Sequence, residues 1–150
     1  MLKKKVLILR ISNLIGIQKK NSKRKLHKTF IDIFFQNIKK GYILKNNNIY
    51  KDFISTKKFG EILQNLIKKK ATGIYNVSIG QKVYLKDIVN WLNNYNQNKV
   101  KYKYAEKGKT NSDCFYLNNQ KLMKLIKIKN SLSELKNECK KISKSYFNKK

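Results

Sequence analysis

Proline is absent from this chain of 150 residues, glycine occurs six times, and histidine and tryptophan occur once each. The two cysteines, Cys114 and Cys139, are too few and too far apart for a disulfide scaffold or a structural zinc site, and they read as reduced thiols. The one histidine, His27, sits in a basic, polar linker with no second histidine or acidic cluster nearby. That is the setting of a surface residue and not of a catalyst or metal ligand. No apolar run approaches the roughly 20 residues of a membrane span. The apolar part of the first ten residues is also too short for a signal peptide, so a cytoplasmic protein is expected.

Acidic residues are scarce too: 8 against 36 basic ones, for a net charge of +28. Such a charge invites a nucleic-acid reading. Yet every basic residue except Arg10 and Arg24 is lysine, and surfaces that grip phosphates and guanines favour the bidentate fork of arginine. Lysine rises here together with Asn, Ile, Tyr and Phe, the joint bias of an AT-rich genome writing a solvated surface. Hydrophobic residues make up 41%, enough for a core, and the length suits one domain.

What is present is organised around residues 50–80. Tyr50 to Ile54 is an extended segment, and Ser55 or Thr56 offers a hydroxyl that can cap a helix. Phe59, Ile62, Leu63, Leu66 and Ile67 then fall on one helical face. Gly73 supplies a left-handed stop, and Ile74 to Val77 reads as a buried strand ending in the turn at Gly80. Strand, helix and strand in that order are half of a crossover unit. Upstream, Val6-Leu7-Ile8-Leu9 lacks alternation, which predicts a parallel strand covered on both faces. Leu26, Phe30, Ile33, Phe34 and Ile38 predict an amphipathic helix ending near Gly41. Tyr42–Leu44 and Ile49–Tyr50 flank Asn46-Asn47-Asn48, a pattern suited to a hairpin. Beyond Gly80, Leu85, Ile88, Val89 and Leu92 repeat at helical spacing, and residues 100–104 alternate as a half-exposed strand. Ser131-Leu132-Ser133-Glu134 is a capping box before a last helix carrying Leu135, Cys139, Ile142 and Tyr146.

Four of these segments, in order, resemble the second half of an extended short-chain dehydrogenase/reductase, the NAD-dependent sugar-nucleotide epimerase/dehydratase family. They are Asn13 within Asn13-Leu14-Ile15-Gly16, Lys51-Asp52-Phe53-Ile54, Tyr75-Asn76-Val77, and Leu117-Asn118-Asn119 before Lys121-Leu122. The resemblance implies an α/β fold: an incomplete Rossmann-like parallel sheet made of the last core strands, plus a small α+β substrate-binding part. Residues 1–17 and 55–98 would contribute to the core, and 18–54 and 99–150 would form the substrate-binding part and the C-terminal helices. It also implies that Asn13 and Lys51 hold the diphosphate of a nucleotide-diphosphate sugar, with Lys109 a further cation for the same charge. Lys51 stands where the family has arginine, so it brings charge without the planar grip.

Two parts of the family's chemistry are missing from the sequence. The glycines, at 16, 41, 60, 73, 80 and 108, never stand three apart, so no turn for a dinucleotide pyrophosphate exists. Tyr95 to Lys99 and Tyr146 to Lys150 match Tyr-x-x-x-Lys formally, but both lie downstream of where the family's general base belongs, and both are rejected. The expected function is therefore the carboxy-terminal, substrate-binding portion of an NAD(P)-dependent epimerase, dehydratase or reductase for surface-polysaccharide sugars. Alone it is expected to be inactive, with no catalytic, cofactor or metal residues of its own and with an upstream half or homologous subunit as partner. Two other readings stay open: a lysine-rich nucleic-acid module, motivated by Tyr102 and Tyr104 among lysines, and a non-catalytic subunit that pairs with a complete homologue.

Overall fold

The fold, taken from a computed structural model, is described for residues 5–16, 29–40, 42–45, 49–94, 101–104, 114–127 and 131–147. Its strands are β1 (Leu7–Ile11), β2 (Asn13–Ile15), β3 (Tyr42–Lys45), β4 (Tyr50–Lys51), β5 (Phe53–Ser55), β6 (Gly73–Val77), β7 (Val83–Tyr84) and β8 (Lys101–Tyr104). The helices are α1 (Phe30–Lys39), α2 (Thr56–Lys68), α3 (Leu85–Asn94), α4 (Gln120–Ile126) and α5 (Leu132–Phe147). The mixed α/β class and the parallel pairing of the early strand with residues 73–77 agree with the sequence.

β1 and β6 run parallel, with Ile8 opposite Ile74. One face of the pair, Leu7, Leu9, Tyr75 and Val77, packs on Ile62 and Leu66 of α2 and on Leu122 and Ile126 of α4. Coverage on both faces is not found among the described residues: Val6, Ile8 and Ile74 are exposed on the other side. A continuous apolar run records that both faces avoid water, not which chain covers each one.

α2 starts as its sequence dictates, with the Ser55 hydroxyl accepting the Lys58 N–H at 3.1 Å. Ile62 and Leu66 are fully buried, whereas Ile67, expected on the same face, is 62% exposed. One residue beyond Leu66 is a turn of about 100° around the axis, which carries Ile67 out of the buried stripe. The helix also stops before Gly73. Lys70 takes the left-handed conformation with φ of 49°, and the Ala71 N–H returns to the Leu66 carbonyl at 3.0 Å. Gly73, with φ of 97°, opens β6 instead, and its N–H reaches the Val6 carbonyl at 2.8 Å.

Among the described residues, the strands expected to form a hairpin over 42–50 do not pair with each other. β3 pairs in parallel with β8, and β4 pairs antiparallel with β7. A short strand takes the neighbour that long-range packing presents, here through the Tyr50 and Tyr84 rings, edge to face at 5.8 Å. The alternating segment at 101–104 is realised as β8.

A second core gathers α1, α3 and α5 around Phe34, Phe35, Ile88, Leu92, Leu135 and Ile142, and takes in Ile15, Phe53 and Val83 from the strands. Phe35 stacks on Tyr146 at 3.9 Å between centroids. The capping box holds: the Glu134 N–H donates to the Ser131 hydroxyl at 3.3 Å and the Ser131 N–H to the Glu134 carboxylate at 3.4 Å. Burial pushes the Cys139 thiol up to about 12, with Glu138 adding to the shift, so it is an inert core thiol. His27 lies outside the described residues.

Leu66→Ala should therefore cost about 2–5 kcal/mol through lost contacts and a cavity. Ile67→Ala, one residue away, should stay within about 0.5 kcal/mol. Urea unfolding followed by far-UV circular dichroism separates the two.

Candidate functional site

In open α/β sheets, ligands are bound in the crevice beyond the carboxyl ends of parallel strands, where neighbouring strands part company. β1 and β6 part at Ser12. Its N–H still donates to the Val77 carbonyl at 3.0 Å, but the next residue has crossed to β5, where Asn13 lies opposite Phe53 in parallel register. Gly16 follows, so close to α2 that an added Cβ would run into the Thr56 side chain. The sequence therefore needs a residue without a side chain where β2 meets the start of that helix.

The parting point is closed by Asp52, a fully buried carboxylate. Its Oδ1 accepts the Ile79 N–H at 3.2 Å, and its Oδ2 accepts the N–H of Gly80 at 3.2 Å and of Leu117 at 3.0 Å. Its backbone carbonyl accepts both the N–H of Asn13, at 3.2 Å, and the Nδ2 of the same residue, at 2.9 Å. One residue thus ties the exit of β1, the exit of β6 and the segment before α4. Gly80 has φ of 72°, and a Cβ there would stand 2.6 Å from the Asn119 Oδ1, so both conformation and space demand glycine. Asn119 completes the junction by donating Nδ2 to the Ser78 carbonyl at 2.9 Å, and Asn76 donates to the Asn118 carbonyl at 2.8 Å.

Lys51 projects from β4 with its Nζ 5.4 Å from the Phe115 ring centroid. Lys82 lies 5.0 Å from the Tyr50 ring and 5.8 Å from Tyr116, and Lys86 lies 5.2 Å from Tyr84. None of the three lysines has an acidic partner among the described residues. Aromatic faces hold such ammonium groups in place without neutralising them, which leaves their charge available to an anion.

Of the residues singled out in the sequence, Asn13 and Lys51 come to the same junction, because Asn13 is bonded to the residue after Lys51. The Asn13 amide nitrogen is engaged by the Asp52 carbonyl, so the side chain serves the junction's geometry. Lys109 lies outside the described residues, as do Tyr95, Lys99 and Lys150, while the Tyr146 ring is spent on Phe35. Sequence reasoning quoted Asp52 within its motif but gave it no task. The signal was there: an acid in a chain with only 8, placed directly before an apolar pair, is poorly explained as a surface residue.

No family model matches the chain, and no curated protein matches it. Solved structures do resemble it. The UDP-N-acetylglucosamine 4-epimerase from Methanobrevibacter ruminantium, in complex with UDP-N-acetylmuramic acid, superposes with a TM-score of 0.76 at 17% identity, over 97% of this chain and 47% of that one. TunA, an NAD-dependent NDP-hexosamine 5,6-dehydratase involved in tunicamycin biosynthesis, gives 0.74 at 12% identity, over 99% and 47%. The Bordetella bronchiseptica enzyme WbmG, in complex with NAD and UDP, gives 0.69 at 18% identity, over 95% and 44%. The chain thus has the partial Rossmann-like fold that sugar-nucleotide epimerases and dehydratases contain, and it spans less than half the length of these neighbours.

Burial raises the pKa of Asp52 above the ordinary 3.8, against the pull of its hydrogen bonds from Leu117, Ser78, Gly80 and Ile79. The stability it contributes is therefore full below the unfolded value and shrinks as pH climbs through the raised folded one. Asp52→Asn cannot titrate and turns an amide NH2 toward backbone donors. It should be less stable than the parent by about 1–3 kcal/mol at acid pH, with the gap narrowing toward neutrality in urea unfolding at several pH values. A gap that widens with pH would mean that the hydrogen bonds outweigh the burial.

Proposed function

We propose that this chain is the sugar-nucleotide-binding portion of an NAD(P)-dependent epimerase, dehydratase or reductase that acts on the activated sugars used in polysaccharide synthesis. The reading is carried by one observation: Asn13 bonds Asp52 beyond the carboxyl ends of the parallel pair, with Lys51 the residue before it, in a fold shared with epimerases and dehydratases of such sugars.

Asp52 fixes the backbone, Asn13 holds the Asp52 carbonyl, and Lys51 supplies the positive charge that meets the diphosphate. Lysine does this as a point charge, so it attracts the diphosphate without dictating the orientation of its oxygens. The glycines of this chain do not form a dinucleotide turn, so its residues are assigned to the sugar nucleotide and none to NAD or NADP. When bound in the complete enzyme, that cofactor supplies the hydride chemistry. The general base is likewise assigned outside this chain, which leaves the chain to bind and orient the substrate without turning it over.

Titration calorimetry with UDP, UDP-N-acetylglucosamine and uridine tests the assignment. Lys51→Ala should weaken both diphosphates roughly fivefold to tenfold, about 1–1.4 kcal/mol, and leave uridine unchanged, while Lys51→Arg should retain affinity. Equal affinity of the parent and Lys51→Ala for UDP would remove Lys51 from the site. Retention on single-stranded oligonucleotide that falls steeply with salt, without UDP binding, would favour the polyanion reading instead.

A further inference from the structure

α3 and α5 close on each other through Leu92, Leu135, Cys139 and Ile142, and the Ser143 hydroxyl ties the contact by donating to the Leu92 carbonyl at 2.8 Å. Beside that contact the two helices leave a cavity of about 390 Å³, lined by Trp91 and Asn94 of α3 and by Lys136, Asn137 and Lys140 of α5. The spacing explains the lining. Residues 91 and 94 stand three apart on α3, and 136 and 137 stand four and three before 140 on α5, so each set forms one flank of its helix. The volume lies within the range of about 300–1,000 Å³ typical of small-ligand sites. None of the five residues belongs to the junction around Asp52.

Lysine and asparagine abound in this chain, so their presence around a cavity says little by itself. Tryptophan does not abound: Trp91 is the only one in 150 residues. Its ring is braced by packing against the core of α1, α3 and α5. Among the described residues no aromatic ring stacks on it and no ammonium group lies over it, whereas Tyr50, Tyr75, Tyr84, Phe115 and Tyr116 each carry a lysine. The two lysines of the cavity are therefore not spent on the indole. Nor are they spent on acids: Glu134 and Glu138 of the same helix are engaged by Lys58 and Lys141, and Lys136 and Lys140 have no acidic partner among the described residues. Like charges four apart on a helix repel each other, and an anion placed between them relieves the repulsion.

From this we propose that the cavity between α3 and α5 is a second ligand site and takes a mononucleotide. The base lies against the Trp91 indole, Lys136 and Lys140 hold the phosphate, and the amides of Asn94 and Asn137 meet the polar edges of base and ribose. Every base offers a π-face to an aromatic side chain. Lysine holds phosphate as a point charge, and an amide can both donate and accept. Bare phosphate would leave the indole unused, and an uncharged ring would leave the two ammonium groups facing each other. A ring that carries its own anion answers both. The site is built on α3 and α5 whereas Lys51 stands on β4, so its occupant is additional to the sugar nucleotide, and the proposal stands even if that reading fails.

Because Trp91 is the only tryptophan, its fluorescence, excited where nucleotides do not absorb, reports on this cavity alone. AMP titrated into the full 150-residue chain should quench it saturably. Adenosine and inorganic phosphate, at matched ionic strength, should each bind roughly tenfold more weakly than AMP. Lys136→Gln combined with Lys140→Gln should weaken AMP by a similar factor, with far-UV circular dichroism unchanged. Lys51→Ala should leave the AMP quenching as it is in the parent, which separates this site from the one assigned to the diphosphate. No saturable quenching, quenching that the double lysine variant leaves unchanged, quenching by phosphate or adenosine as strong as by AMP, or its loss in Lys51→Ala would each overturn the proposal.

Discussion

A carboxylate with no exposed surface holds three segments of this molecule together. Asp52 is sealed at the junction of three chain segments, and its oxygens are shared among the backbone N–H groups of Ile79, Gly80 and Leu117. Burying an ionisable group is costly unless every lone pair finds a donor. The surrounding chain is bent to supply those donors, through the left-handed turn at Gly80 and the close approach of Asn119 behind it. Where β1 and β6 separate, the position of each exit follows from that requirement. The same rigidity sets the position of Lys51, which is the residue before Asp52 and leaves the strand toward the opposite side.

Much of the fold could be read in the chain because local and global preferences agree there. The α2 stripe, the Ser55 cap, the Ser131/Glu134 box and the strand at 74–77 follow from spacing and side-chain chemistry alone. The errors share one cause. Residues 42–50 look like a hairpin because asparagines favour tight turns, but the flanking strands find their partners in β8 and β7, more than thirty positions away in sequence. Lys70 replaces Gly73 as the helix stop because the left-handed position is fixed by the hydrogen bond from Ala71 to Leu66, not by the nearest glycine. Both outcomes depend on contacts that no local window contains.

The geometry of the candidate site was legible in part for a related reason. Motif order brought Asn13 and Lys51 into consideration, and the structure joins them through Asp52. The role of Asp52 itself escaped notice because its donors come from positions 79, 80 and 117. A buried acid is recognised by what surrounds it, and its neighbours in sequence say only that it is out of place.

Charge and exposure together divide this molecule into two kinds of surface. Where lysine has accumulated, water is the constant neighbour, and the few lysines held over aromatic rings, such as Lys51 on Phe115 and Lys82 on Tyr50, keep a charge that no acid among the described residues neutralises. Where lysine has not accumulated although water reaches, on Val6, Ile8 and Ile74, the sequence still obeys the rule of a covered sheet. Isoleucine rises with lysine in this composition, so the three side chains are distinguished by sharing one face of a parallel pair and not by escaping the drift. In an isolated domain an uncovered sheet face of that kind is a liability to aggregation.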